Sequence, residues 1–149
     1  MWISKRTDYA TRAVLALAIA GQEKPMKLDE LARRTRVPRS VLEQVMPTMR
    51  NAGIVRSERG PRGGYRLNKR ADEITLERVV RLFQGQLAPI GCATRKQAEP
   101  CLMSVECSLR FVWEDVRDLT IGVLGRTTFA DLAQRASGPW RAAEKHSVD

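Results

Sequence analysis

Cys92, Cys101 and Cys107 are the three cysteines of the chain, with eight residues between the first two and five between the last two. Thiolates are soft donors, and cysteine is the usual protein ligand of Fe–S clusters. An odd number of cysteines cannot be used up by a disulfide framework. Structural zinc favours C-x2–4-C pairs, and this spacing contains none. Gly91 and Pro100 give the segment the irregular backbone that can wrap a cluster, either 4Fe–4S or 2Fe–2S. Three thiolates leave one iron position to an oxygen ligand, water or an exchangeable group. A centre of that kind is open to nitric oxide, iron supply, oxygen or redox state. A zinc site, a metal-free thiol switch and inert buried cysteines are the competing readings, and the polar setting weighs against the last.

No catalytic constellation accompanies the thiols. The single histidine is His146, no glycine loop has phosphate-binding spacing, and no nucleophile has an evident base. An enzyme is therefore not expected. The net charge of +9 lies wholly in the first part of the chain: residues 1–85 hold 18 Lys+Arg against 9 Asp+Glu, whereas residues 86–149 hold 8 of each. Basic charge gathered in this way suits a polyanion, because each neutralised phosphate releases condensed counterions. Its alternative role is general solubility.

Length and composition bound the scaffold. The 149 residues are 43% hydrophobic and 5% aromatic, which suits one compact domain with an appended element, its core made of Leu, Val, Ile and Ala. No apolar run approaches the roughly 20 residues of a membrane span. Met1 to Arg6 lacks the apolar segment of a signal peptide. A cytoplasmic chain with reduced thiols, and no membrane partner, is the expectation.

The elements that would position the chemistry follow from apolar periodicity. Ala10, Ala13, Val14, Leu17 and Ala18 predict a helix over 6–20, ended by Gly21 and Pro25. Leu28, Leu31 and Ala32 predict a second helix to Arg34. After the break at Val37-Pro38, a third helix is expected over Arg39 to Ala52. Ser40 and Glu43 there have capping-box spacing, and Pro47 should bend the helix or end its first part. Ile54 to Ser57 and Tyr65 to Leu67 read as two strands around the turn Arg59-Gly60-Pro61-Arg62-Gly63-Gly64. Thr75 should cap a fourth helix to Phe83. A long helix follows from about Val105 to Leu124, with Leu109, Val112, Trp113, Val116, Leu119 and Val123 in one stripe. Such a helix, lying beyond an already complete small domain, commonly packs on a second subunit; the alternative is packing on its own domain. Thr127 or Thr128 caps a last helix to Gln134.

Two helices, a short turn and a two-stranded wing make a winged helix-turn-helix, in which the second helix of the motif enters the major groove. The exposed residues at its start are Arg39, Ser40, Glu43 and Gln44, with base or phosphate roles available to each. At the wing tip, Arg59 and Arg62 suit the minor groove or its phosphates, and Gly60, Gly63 and Gly64 allow close backbone approach. Lys5 and Arg6 add candidate phosphate contacts. An ordinary hairpin with solvated arginines is the plainer reading of the wing.

At these residues the chain resembles the winged-helix regulators that include IscR, NsrR and RirA. The resemblance rests on Thr7-Asp8-Tyr9-Ala10-Thr11-Arg12-Ala13, Leu42-Glu43-Gln44, the wing Arg59 to Leu67, Ile74-Thr75-Leu76 and Thr128-Phe129-Ala130-Asp131-Leu132. It covers about residues 1–135. It implies a homodimer with long helices crossing at the interface and one Fe–S cluster per subunit, whose state sets operator binding. The ligands it implies are Cys92, Cys101 and Cys107, joined in the NsrR type by an aspartate at the position of Asp8, donated from the partner subunit. A purely local role for Asp8 is charge pairing at a helix start. The IscR type uses a histidine just after the third cysteine, and this chain has Ser108 to Arg110 there.

The expected fold is mainly α with a small β wing. The winged helix-turn-helix domain would occupy 1–84, a cysteine-containing loop 85–107, a dimerisation helix and short final helix 108–136, and a loose tail 137–149. The expected function is transcription regulation, as a repressor on a double-stranded DNA operator, governed by the cluster. A thiol- or zinc-dependent regulator, or a dimeric interaction module that does not bind DNA, are the alternatives.

Overall fold

The computed structural model describes residues 3–95, 100, 101, 103 and 106–137. Helix α1, Lys5–Ala20, begins at Ser4, whose hydroxyl accepts from the Thr7 amide at 3.2 Å. Its small face, Ala10, Ala13, Val14 and Leu17, is buried, and lets α1 serve as the central post of the domain. Helices α2 (Leu28–Thr35), α3 (Arg39–Asn51), α4 (Leu76–Gln84) and α6 (Phe129–Arg135) all pack on it. Strands β1 (Val55–Glu58) and β2 (Gly64–Leu67) pair antiparallel, with Val55 opposite Leu67 and Glu58 opposite Gly64. Met26, in the link between α1 and α2, adds an antiparallel bridge to Tyr65.

The architecture is mainly α with a β wing, as the periodicity predicts. One local expectation for α3 changes, and one of the two alternatives for Pro47 drops out. The helix is preceded by Pro38 and has no side-chain cap, so Ser40 and Glu43 do not form a capping box. With Pro38 supplying the extended residue and the fixed φ that starts the helix, Ser40 falls inside the first turn. Pro47 neither ends nor divides α3, which stays a single helix of 13 residues. Buried Val45, Met46 and Met49 flank the proline, so core packing offsets the single lost backbone bond.

Thr75 caps α4 as expected, its hydroxyl accepting from the Arg78 amide at 3.3 Å. Thr128 caps α6 in a full capping box with Asp131. These two starts are joined: Leu76 N donates to Thr127 O at 2.8 Å, and Phe129 N to Ile74 O at 3.0 Å. Phe129 is fully buried in the same core as Leu42, Met46 and Ile54. The chain thus leaves the domain, runs out along α5 (Ser108–Arg126), and returns to be anchored by α6.

Helix α5 starts at Ser108, after Cys107, and ends two residues later than the sequence suggests; the expected first residue, Val105, and the tail from 138 onward lie outside the described residues. The helix contacts α4 and the 3-10 turn Gly91–Ala93. Its apolar stripe is not covered by its own domain. Leu119 is 71% exposed, Leu109 62% and Val112 53%. Among the described residues no helix is long and apolar enough to cross a membrane.

Candidate nucleic-acid interface and cysteine centre

Arg39, Ser40, Glu43 and Gln44 are all exposed on the first half of α3. Ser40 and Gln44 lie one turn apart, as do Arg39 and Glu43. The second pair is joined: Arg39 Nε donates to Glu43 Oε1 at 2.9 Å, and Arg39 Nη1 donates to Asp29 of α2. These carboxylates, Asp29 first, raise the guanidinium above its ordinary value. Ser40 and Gln44 have no side-chain partner among the described residues, so their donors and acceptors are open to an incoming base edge. Asp29 was missed in the sequence because it belongs to α2 and meets Arg39 only through the turn.

Arg59 and Arg62 are exposed at the wing tip. The turn closes through Gly63 N donating to Gly60 O at 2.9 Å. Gly60 has φ 103°, a conformation that only glycine takes without strain. The glycine at 64 answers to the protein itself: a Cβ there would lie 2.4 Å from Met26 O. Its smallness lets β2 dock on the α1–α2 link, a sufficient internal reason for a residue expected to serve backbone approach to DNA. Lys5 is exposed at the start of α1, whereas Arg6 lies over the Phe83 ring at 5.6 Å.

The cysteine segment is only partly described, since residues 96–99, 102, 104 and 105 fall outside. Cys92 is half-buried in the Gly91–Ala93 turn, Cys107 is half-buried as the residue preceding α5, and Cys101 is exposed. Arg110, in the first turn of α5, is raised above its ordinary value by its bond to Glu114, and further by Cys92. Cys107 immediately precedes α5, and the turn that holds Cys92 packs against the same helix. Among the described residues no three His, Cys, Asp or Glu side chains gather into a metal site within the chain. The thiols suit soft-metal chemistry by donor type, and a complete ligand set would need a group from elsewhere.

Asp8 is not brought to the cysteines of its own chain. It sits in the first turn of α1 and pairs with Arg12, at 2.7 Å between Oδ2 and Nη2 and 3.2 Å between Oδ1 and Nε. It is 41% exposed, which leaves the carboxylate within reach of a second molecule.

The turn carrying Cys92 is fixed from α5. Arg117 Nη1 donates to Ala93 O at 2.5 Å, while Nε and Nη2 of the same guanidinium bond both oxygens of Asp118 at 2.7 and 3.1 Å. Arg95 Nη2 adds a bond to Asp118 Oδ1 at 2.9 Å. Arg117 chiefly, and Arg95, hold the Asp118 carboxyl down at about 2. Nothing in the sequence sets Arg117 apart from a solvated arginine on the polar side of a helix, and its role becomes visible only once the turn is docked.

A family profile described as "Iron-dependent Transcriptional regulator", Rrf2, matches residues 3–135. The HTH-type transcriptional regulator CymR of Bacillus subtilis is 32% identical over 95% of this chain and 96% of its own length. IscR of Serratia proteamaculans, also an HTH-type transcriptional regulator, is 32% identical over 89% of this chain and 79% of its own. The solved structure of the B. subtilis protein, titled as the global cysteine regulator, superposes with a TM-score of 0.80 at 31% identity, covering 92% of this chain and 99% of that one. An exposed recognition helix, a wing anchored to its domain and a match across nearly all described elements lead to one conclusion: the chain belongs to the Rrf2 family of DNA-binding transcriptional regulators.

Proposed function

We propose that the chain acts as a homodimeric repressor whose operator affinity is set by an Fe–S cluster held by Cys92, Cys101 and Cys107, with Asp8 of a second copy as the candidate further ligand. The observation that carries the reading is that the turn holding Cys92 packs on α5 and that Cys107 immediately precedes the same helix, whose apolar stripe is left uncovered. A cluster there would supply electron-transfer and ligand-exchange chemistry. The chain's own residues do the rest. Cys107 ties the centre to the first residue of α5, the stripe of α5 suits a second copy of itself, and α6 joins α5 to the domain that carries α3 and the wing.

On DNA, Ser40 and Gln44 read base edges, while Arg59, Arg62 and Lys5 neutralise phosphates. Arg39 and Glu43 reach bases only by parting from one another or from Asp29. The backbone at Gly60 and Gly64 holds the wing tip in shape.

The test is anaerobic purification with iron and sulfide assay, native mass spectrometry, and operator titration of cluster-loaded and cluster-free protein. A coloured dimer with one cluster per chain, and operator affinities that differ between the two forms, is the expected result. Colourless, iron-free protein after anaerobic reconstitution would refute the cluster. A second reading, a metal-free thiol switch, is favoured by the exposure of Cys101 and by the likeness to a protein titled a cysteine regulator. It predicts iron-free protein whose operator affinity changes on mild oxidation.

A further inference from the structure

The Arg117 side chain is among the most buried charged side chains described, 11% exposed, as is that of Arg34. A buried guanidinium is costly unless its donors are satisfied, and here they are spent on two objects. One face of the fork is bonded to Asp118, its neighbour on α5; the remaining Nη1 reaches the carbonyl of Ala93, the residue after Cys92. Arg95, three residues after Cys92, bonds the same Asp118. The Cys92 turn is thus tied to the middle of α5 from its C-terminal side. Cys107 immediately precedes the same helix, ten residues before Arg117 and about 15 Å away along the axis. Beside the tie is a cavity of about 750 Å³ lined by Arg117, Arg95, Thr94, Leu87 and Ile121. A turn that lets go of Arg117 has space to move without repacking the core.

We propose that Arg117 is a positioning residue for Cys92, which with Asp118 and Arg95 forms a latch passing the state of the Cys92 sulfur to α5. The latch rests on the reading of the cysteines as a sensing centre. With the latch closed, Cys92 and Cys107 are fixed to two points of one rigid helix, so a bond formed or lost at Cys92 must pull on α5 or break the tie. With the latch open, the turn moves alone and α5 feels nothing.

The experiment uses the full chain carrying Arg117→Gln, and separately Arg95→Gln, whose exposed site leaves the fold intact. Two quantities are read: the alkylation rate of each cysteine by iodoacetamide in the reduced, cluster-free protein, and the ratio of operator Kd between cluster-free and cluster-loaded forms. Arg117→Gln should speed alkylation of Cys92 by about 3- to 10-fold, the effect on an opening equilibrium of losing one hydrogen bond. Cys101 should be unaffected, and the Kd ratio should fall toward one while the cluster-free Kd stays unchanged. Arg95→Gln should move both quantities the same way by less. An unchanged Cys92 rate in both variants, or a Kd that shifts equally in both forms, overturns the latch and leaves Arg117 as a brace. If the wild-type chain takes up no cluster, the proposed function fails, and the alkylation rates alone decide the latch.

Discussion

Arg39 and Glu43, one turn apart at the start of the recognition helix, are bonded to each other, and Asp29 of α2 holds the same guanidinium. The surface proposed to meet DNA thus begins with one of its arginines already paired. Both carboxylates compete with DNA for it.

Replacing Asp29 by Asn should release that arginine. Non-specific DNA affinity should rise, and the slope of log K against log salt should steepen by about 0.9, one extra phosphate contact. Fluorescence anisotropy on random duplex over a range of salt concentrations measures both; an unchanged slope would show that Arg39 is not available to phosphate in either form.

The wing arginines act in the opposite sense. Arg59→Ala and Arg62→Ala should each weaken binding by a similar factor on operator and random DNA, and each should reduce the salt slope by about 0.9. A loss confined to the operator would mean that they read bases instead.

Gly64→Ala tests the docking of the wing. Its Cβ would lie 2.4 Å from Met26 O at φ 154°, so unfolding should move to lower urea by an amount equivalent to about 1–3 kcal/mol. Gly60→Ala, with nothing within 4 Å of its Cβ but φ 103°, should cost less. Equal stability of the Gly64 variant and wild type would contradict the close approach.

Leu119→Asp places a charge on the uncovered stripe of α5. Leu119 is 71% exposed in the single chain, so the fold should survive with unchanged helicity while sedimentation shifts from dimer to monomer. A dimer that persists in the variant would place the subunit contact elsewhere.

Asp118 makes a prediction about acid. Its carboxyl is held at about 2, through Arg117 first and Arg95 second, below its value in an unfolded chain. Such a group stabilises the fold above the ordinary carboxylate range, and its contribution is lost as pH falls through the folded value. Between about pH 5 and 8 it should add no pH dependence. Urea midpoints of Asp118→Asn should lie below wild type near neutrality and converge with it as the pH approaches 2.

The features written in local spacing were legible before any coordinates. Ala10, Ala13 and Leu17 mark the buried face of α1; Thr75 and Thr128 announce the helix starts they cap; the glycines of 60–64 announce the wing turn. What stayed hidden depends on contacts between distant parts. Ser40 and Glu43 have the spacing of a capping box, and only the placement of Pro38 before the helix shows that Ser40 lies inside its first turn. Arg117 looks like any solvated arginine until Ala93 arrives beside it. Phe129 reads as part of a short final helix, and its place at the centre of the first domain's core follows from the return of the chain after α5.

Met26 and Tyr65 exchange both backbone hydrogen bonds, each at 2.8 Å, so the return strand of the wing is stitched to the body of the domain. On the proposed reading, a duplex arriving there would immobilise two arginine side chains and no new stretch of backbone. Complex formation should then lack the large heat-capacity change of a segment that folds as it binds. If the wing meets DNA as proposed, its return strand stays docked from one stretch of DNA to the next, and movement along the genome needs no refolding of that strand at each step.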